Sequence, residues 1–378
     1  MLVSFCIIFI ILFYIYIGYP CLLFVLNFFI AKPVNKGEVK LSCSLIVTAF
    51  NEEKYIKEKI LNSLALNYPV DKLEIIIALD GCTDNTLAIA KPYEECGDII
   101  IINEKHLGKT AVQFKAVKKS KGEILIFSDT NAVLEKNAIK NMMMNYEDAS
   151  VGCVCGDLNY ICNDGTSGEG LYKKYENFIK RLESNTGSIV SVEGSLFSVR
   201  REYYAEDWEV GGEDAILPFR VAEDQKRIIY EKEAKSFEKF DSDDAQQIRR
   251  RYRIVSKNLQ LMSTMKHVLN PFVMGFFSIK FWSHKMLRWF APFFLIALFL
   301  TNAFLLKQGV YLKLFFLLQV VFYAIALMYP FLKRVVPIVV LQKLFYAVYF
   351  FCFSNLGILI GFFYYFMGRK FKAWAPER

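Results

Sequence analysis

Long stretches without a charged side chain constrain this chain more than any other feature. Residues 2–31 carry none, and neither do 289–306, 314–332 or 344–368. A helix needs about 20 apolar residues to cross a bilayer, so each stretch is near membrane length or beyond it. Between the first stretch and the rest lies a mixed, charged segment, 33–288, long enough for a soluble domain. The first stretch has no basic residue ahead of it and no small-residue cleavage pattern after it. Pro20 also stands where a lipoprotein-type Cys21 would need a small neighbour. It therefore reads as an anchor, not a signal peptide.

Charge then orients the chain. Lys32, Lys36 and Lys40 follow the first stretch, which places the middle segment in the cytoplasm of an integral cell-membrane protein. Lys333 and Arg334 on one side of the last stretch, and Arg369, Lys370 and Lys372 on the other, give it conflicting directions. The number of C-terminal crossings, about three by length, stays open. The expected segments are an anchor at 1–31, a soluble domain at 33–245, basic interfacial helices at 246–288, membrane helices at 289–368 and a tail at 369–378. Nine scattered cysteines suit a reduced compartment. Cys153 and Cys155 have no second pair at zinc spacing. A net charge of +8 concentrated near the membrane segments points to anionic lipids, not nucleic acid.

From Leu41 the middle segment alternates. "CSLIVTAF", "LEIIIALD", "GDIIIINE" and "EILIFSDT" are near-continuous apolar runs, as expected of strands covered on both faces. Helical stretches separate them: Asn51 offers a cap with Glu52 and Glu53 in the first turn, and Thr83 or Asp84 offers a second. This is the pattern of a parallel α/β sheet. In such sheets ligands sit beyond the carboxyl ends of the strands. Here those ends carry Ala49, Asn51 and Glu52, then Asp80, then Lys109, then Asp129 and Asn131. Any one tip is explained by turn and capping chemistry; four on one edge call for a ligand. Acidic groups suit a base and a ribose, Lys109 a phosphate, and Asp129 a Mg2+ or Mn2+ ion bridging phosphates. No GxxxxGK[ST] or GxGxxG pattern is present, so neither a P-loop nor a dinucleotide site is expected.

On "VTAFNEE", "ALDGCTDNT", "HLGKTAVQFKAV", "SDTNA", "VEGSLFSVRRE" and "GEDAILPFRV", in that order, the sequence resembles the membrane-anchored family 2 glycosyltransferases of the polysaccharide synthase and cellulose synthase-like type. The resemblance covers residues 41 to about 260 and implies a GT-A fold, a Rossmann-like mixed sheet flanked by transmembrane helices. It further implies a nucleotide-sugar donor (a UDP-sugar first), a divalent metal, an acceptor that is a membrane lipid or a glycan, and inversion at the anomeric carbon. By position, Ala49, Glu52 and Asp80 would contact base and ribose with Asn51 beside them, and Lys109 the nucleotide. Asp129 and Asn131 would meet metal and diphosphate. Gly194, Glu213, Gln247 and Arg250 would lie on the acceptor side, with Asp214 as the base. Two positions depart from the pattern. Asn131 replaces the second carboxylate of the DxD element, and Arg251 stands where the QxxRW element has Trp, which puts processivity in question.

Residues 246–262 repeat apolar side chains every three or four positions, with arginines between, as a basic helix at a membrane surface does. The expected function is transfer of a sugar to a lipid-linked or polysaccharide acceptor in extracellular polysaccharide or glycolipid synthesis. A processive synthase that also translocates its product is the nearest alternative. A non-catalytic nucleotide-binding subunit is the reading from another class, and Asp129 and Asp214 speak against it. A transporter fits poorly, because the apolar stretches hold almost no ionisable residues.

Overall fold

The computed structural model describes residues 1–38, 40–161, 168–205, 212–239, 244–336 and 338–368. The expected tail and most of the "NDGTSGEG" stretch lie outside the described residues. The N-terminal stretch is helical throughout, as α1 (Leu2–Phe13) and α2 (Tyr19–Ile30) joined by a π-helical turn. Then β1 (Cys43–Ala49), α3 (Ile56–Leu64), β2 (Leu73–Asp80), α4 (Thr86–Glu95), β3 (Ile100–Glu104), α5 (Lys109–Lys119) and β4 (Ile124–Asp129) alternate. The second half of the domain is less regular. It contains β5 (Val133–Leu134), α6 (Ala138–Met143), β6 (Val151–Ile161), α7 (Gly168–Asn185), β7 (Phe197–Arg200), α8 (Glu213–Glu223) and β8 (Arg227–Lys239).

The eight strands form one sheet in the order β3-β2-β1-β4-β7-β6-β8-β5. β3, β2, β1 and β4 run parallel, and Thr48 of β1 pairs with Asp129 of β4, which brings their polar tips level. β7 then pairs antiparallel with β4, so the sheet is mixed. Successive residues of β1 face opposite cores: Leu45 and Val47 enter one cluster and Ile46 the other. That two-sided burial explains the unbroken apolar runs in the sequence.

After β8 come α9 (Asp244–Thr264), α10 (Pro271–Met274), α11 (Phe276–Phe281), α12 (Leu287–Phe304), α13 (Val310–Val335) and α14 (Val339–Phe366). Among the described residues four helices are long and apolar enough to cross a membrane: Leu2–Ile30, Phe276–Phe304, Val310–Val335 and Val339–Phe366. The apolar face of α9 is covered by protein. Val255, Leu259 and Met262 join the domain core together with Phe362 of α14. Gly361 permits this approach, since a Cβ there would lie 2.8 Å from Val255 Cβ. Periodicity in the sequence gives the amphipathic face of α9 but not what lies against it.

The second span starts at Phe276, ahead of the uncharged stretch, because its first turns carry Lys280, His284, Lys285 and Arg288. These charges meet α7. Arg288 pairs with Glu176; His284 Nε2 lies 3.2 Å from Glu176 Oε2, and its Nδ1 lies 2.9 Å from Glu183 Oε1. Lys280 Nζ donates to the Glu183 carbonyl at 2.8 Å, and Tyr19 of the first span donates to Glu183 Oε1 at 2.6 Å. All six side chains are buried.

Candidate active site

The site is built from the ends of β1, β2 and β4, the first turns of α5 and α8, and the turn before β7. Asp129 ends β4, half-exposed. Lys109, on the first turn of α5, reaches both Asp129 Oδ1 at 3.1 Å and Glu213 Oε1 at 2.9 Å. Glu213, buried at the start of α8, also accepts from Gln113 Nε2 at 2.9 Å. Asp214 follows it. A Cβ on Gly194 would lie 3.5 Å from Asp214 Oδ2 and 3.7 Å from Asp129 Oδ2, so this glycine is the gap across which the two carboxylates face each other.

Electrostatics divide the labour within this cluster. Burial and the neighbouring Glu213 charge push the Asp214 carboxyl up to about 6, with Lys109 opposing. That value suits a group that must take up a proton near neutral pH. Burial works against the Lys109 charge, but Asp129, Glu213 and Asp214 together hold its pKa above the ordinary lysine value. Lys109 is therefore a fixed positive charge beside Asp129.

The remaining strand tips form two neighbouring groups. Asp80 is fully buried, and its carboxylate accepts from the backbone N–H groups of Leu107 at 2.7 Å and Gly108 at 3.0 Å. His106 Nδ1 lies 3.1 Å from Asp80 Oδ2, and its ring packs on Phe50 with centroids 4.5 Å apart. Asp80 thus shapes the loop that leads into Lys109. Asn51, expected as a helix cap, instead has a left-handed backbone (φ 53°), and its Oδ1 accepts from Thr83 N at 2.8 Å. Asn tolerates that conformation better than most residues. The helix behind it starts only at Ile56, after a turn in which the Glu52 carbonyl accepts from Tyr55 and Ile56. Glu52 itself is buried, and its N–H donates to Thr86 Oγ1 at 2.8 Å. Ala49 ends β1, fully buried. At the second cap, Asp84 accepts from Thr86 N at 3.0 Å, while Asn85 takes the capping position without a side-chain bond to the helix and donates instead to Glu53 Oε2 at 2.9 Å.

Asn131 lies in the turn after Asp129. Gln247, buried, and Arg250, exposed, lie on α9. Ten residues beyond Gln247, Lys257 senses the cluster: burial lowers its pKa, as does Arg253, while Asp214 and Glu213 oppose. Arg251, in place of the expected Trp, lies over the rings of Tyr172 and Phe350, 5.5 and 4.9 Å from their centroids.

Lys59 is a residue the sequence reading did not single out. It is 1% exposed, and its Nζ donates to Ser128 Oγ at 2.7 Å and to the Ala132 carbonyl at 2.6 Å. Ser128 in turn donates to the Ser195 carbonyl at 2.7 Å, next to Gly194. One buried ammonium therefore grips both ends of the 128–132 turn and, through Ser128, the Gly194 turn. Burial draws its pKa down to about 7, with Asp129 and Glu238 opposing. The signal was present in the sequence: a lysine on the stripe Ile56, Lys59, Ile60, Ser63, which is the core face of α3.

Among the described residues no set of three His, Cys, Asp or Glu side chains is arranged to hold a metal unaided. The half-exposed Asp129 carboxylate offers hard oxygens of the kind a Mg2+ or Mn2+ ion takes. Such ions are commonly held by one or two carboxylates and completed by phosphate and water.

Residues 44–208 match the family model described as glycosyl transferase family 2. The poly-beta-1,6-N-acetyl-D-glucosamine synthase of Staphylococcus aureus is 24% identical over 210 residues, 53% of this chain and 50% of its own length. An N-acetylglucosaminyltransferase of Bradyrhizobium elkanii is 28% identical over 125 residues, 32% of this chain and 69% of its own. The chain thus spans about half the length of the synthases it matches. Among solved structures, a mannosyltransferase from Pyrobaculum calidifontis in complex with GDP-Man and Mn2+ superposes with a TM-score of 0.70. The match covers 97% of this chain and 100% of that one at 18% identity, a likeness of fold. The mixed sheet is of the GT-A kind.

Proposed function

We propose that the protein is a membrane-bound inverting glycosyltransferase, a reading supported by the match of residues 44–208 to the glycosyl transferase family 2 model. It moves a sugar from a nucleotide-sugar donor to a lipid-linked or polysaccharide acceptor, with the catalytic domain on the cytoplasmic side. The observation that carries this reading is that Asp214 and Asp129 face each other across Gly194, with Lys109 paired to Asp129. A diphosphate and a base are needed on opposite sides of one reacting carbon, and this arrangement supplies a place for each.

In this reading Ala49, Asn51, Glu52 and Asp80 line the nucleoside end of the edge. Asp129, with Asn131 as a neutral ligand, would hold Mg2+ or Mn2+, which neutralises charge developing on the leaving diphosphate. Lys109 adds a second positive charge there. Asp214 orients the acceptor hydroxyl and accepts its proton as the oxygen attacks, so a single displacement inverts the anomeric centre. The Glu213 carboxylate is tied to Lys109 and Gln113 and holds the first turn of α8 in register. Gln247 and Arg250 on α9 would close the acceptor side, and exposed Arg250 would face anionic headgroups.

The test is a screen of labelled nucleotide sugars, UDP-N-acetylglucosamine and GDP-mannose among them, on membranes containing the protein. Metal-dependent label in lipid or polymer supports the reading, and product size separates single addition from processive synthesis. Absence of any nucleotide binding would end it. The processive alternative is favoured by the likeness to the poly-N-acetylglucosamine synthase. The non-processive one is favoured by Arg251, which is stacked on Tyr172 and Phe350 where a Trp is expected.

Lys59 provides a further test. Lys59→Met fills the same volume but leaves Ser128 and the Ala132 carbonyl ungripped. The chain is expected to fold, yet to lose about 10- to 100-fold in metal affinity or activity, as when a group supporting a ligand is removed. A metal titration of activity, with the unfolding temperature as control, checks this. An unchanged titration removes Lys59 from the site.

A further inference from the structure

Glu193, which precedes the Gly194 gap, is held in an unusual way. Lys173 and Lys180 of α7 both reach its carboxylate, and both go to the same oxygen, Oε1, Lys173 at 2.6 Å. The two lysines are buried, whereas the Glu193 side chain keeps 26% of its surface exposed. Among the described residues no donor reaches Oε2. Burial alone would favour the neutral acid, but the two ammonium groups hold its pKa far below the usual carboxylate range. Its charge also bears on Asp214.

A counter-ion shared by two lysines would be expected to use both oxygens. Burying two ammonium groups is costly, and here they fix one oxygen and leave the other as an ionised acceptor of set direction. The strand order says which substrate it faces. The tips given to the donor belong to β1 and β2 (nucleoside) and β4 (diphosphate), while Glu193 precedes β7, beyond β4 and away from β1. α7, which supplies the lysines, packs on the first and second spans through Tyr19, His284 and Arg288. Glu193 is therefore tied, through α7, to the helices of the first and second spans.

We propose that Glu193 Oε2 is an acceptor-binding group that takes a hydrogen bond from a hydroxyl of an acceptor sugar, with Lys173 and Lys180 as its positioning residues. This rests on the transferase reading above. A carboxylate in such a role accepts a charge-assisted bond and selects for an acceptor that carries the hydroxyl, because an analogue without it leaves the charge unpaired.

The full chain in lipid nanodiscs tests this, with UDP-N-acetylglucosamine and GDP-mannose as donors and β-1,6-linked N-acetylglucosamine oligosaccharides as the acceptor probe. Glu193→Gln is expected to raise the acceptor KM by about 10- to 100-fold while the donor KM and the affinities for UDP and GDP hold. Glu193→Asp, which keeps the charge, recovers part of the loss. If Glu193→Gln unfolds early, the Lys173→Met, Glu193→Gln pair removes one stranded ammonium and carries the same measurement. An unmoved acceptor KM overturns the assignment, as does nucleotide affinity falling in step with it. A wild-type chain that binds neither nucleotide overturns the transferase reading, and this inference with it.

Discussion

Asp214→Asn is expected to cut sugar transfer by about 10³-fold, in the range for loss of a positioned general base, with nucleotide affinity unchanged. The amide keeps the shape of the side chain and can still touch the acceptor hydroxyl, but cannot take its proton. The wild-type pH profile gives an independent check. The carboxyl is raised from an ordinary 3.8 to about 6, and only its ionised form accepts a proton. Activity should therefore fall as pH drops through about 6, by roughly tenfold per unit below it, and level off above. In Asp214→Asn the residual rate should lose that acid limb. A variant of normal rate, or one that keeps the limb, would mean that another group serves as base.

Asp129→Ala is the second large effect, with a different signature. It removes the carboxylate on which Lys109 rests and the expected metal ligand together. Transfer should fall by about 10³-fold or more, as when charge stabilisation of a leaving group is lost, and added Mn2+ should no longer restore it. Calorimetry distinguishes this from an acceptor defect: UDP and GDP binding should lose its dependence on Mn2+ in Asp129→Ala and keep it in Asp214→Asn. Metal-dependent nucleotide binding that survives in Asp129→Ala would refute the assignment.

How much of this the sequence revealed depends on the kind of constraint. β1, β2 and β4 were legible because burial on both faces forces unbroken apolar runs, and a polar break at the tip then stands out. Lys109 and Asp129 were legible as strand-end residues, though nothing in their spacing says that one ammonium joins Asp129 to Glu213. The Asn51 reading failed locally. An Asn ahead of two glutamates looks like a cap, but the loop from β2 offers Thr83 a better use of its oxygen. Lys59 was hidden by its charge, since a lysine between Ile56 and Ile60 looks like a solvated neighbour until Ser128 and Ala132 arrive from far along the chain. The start of the second span was hidden for the same reason: Lys280, His284, Lys285 and Arg288 disguise a membrane helix whose charges are met by α7.

Those pairings bear on how such a chain can be divided and recombined. A helix inserted alone would bring Lys280, His284, Lys285 and Arg288 towards the bilayer unmatched, at about 2.5–3.5 kcal/mol for each Lys or Arg at mid-membrane. The domain alone would leave Glu176 and Glu183 without the groups that answer them. Neither half is an interchangeable module, and insertion of the helix and docking of the domain are parts of one assembly event. A fragment of residues 33–275 should therefore aggregate on size-exclusion chromatography, and a monodisperse fragment would show the two halves to be separable. Grafting the domain onto a foreign anchor would need α7 redesigned along with it.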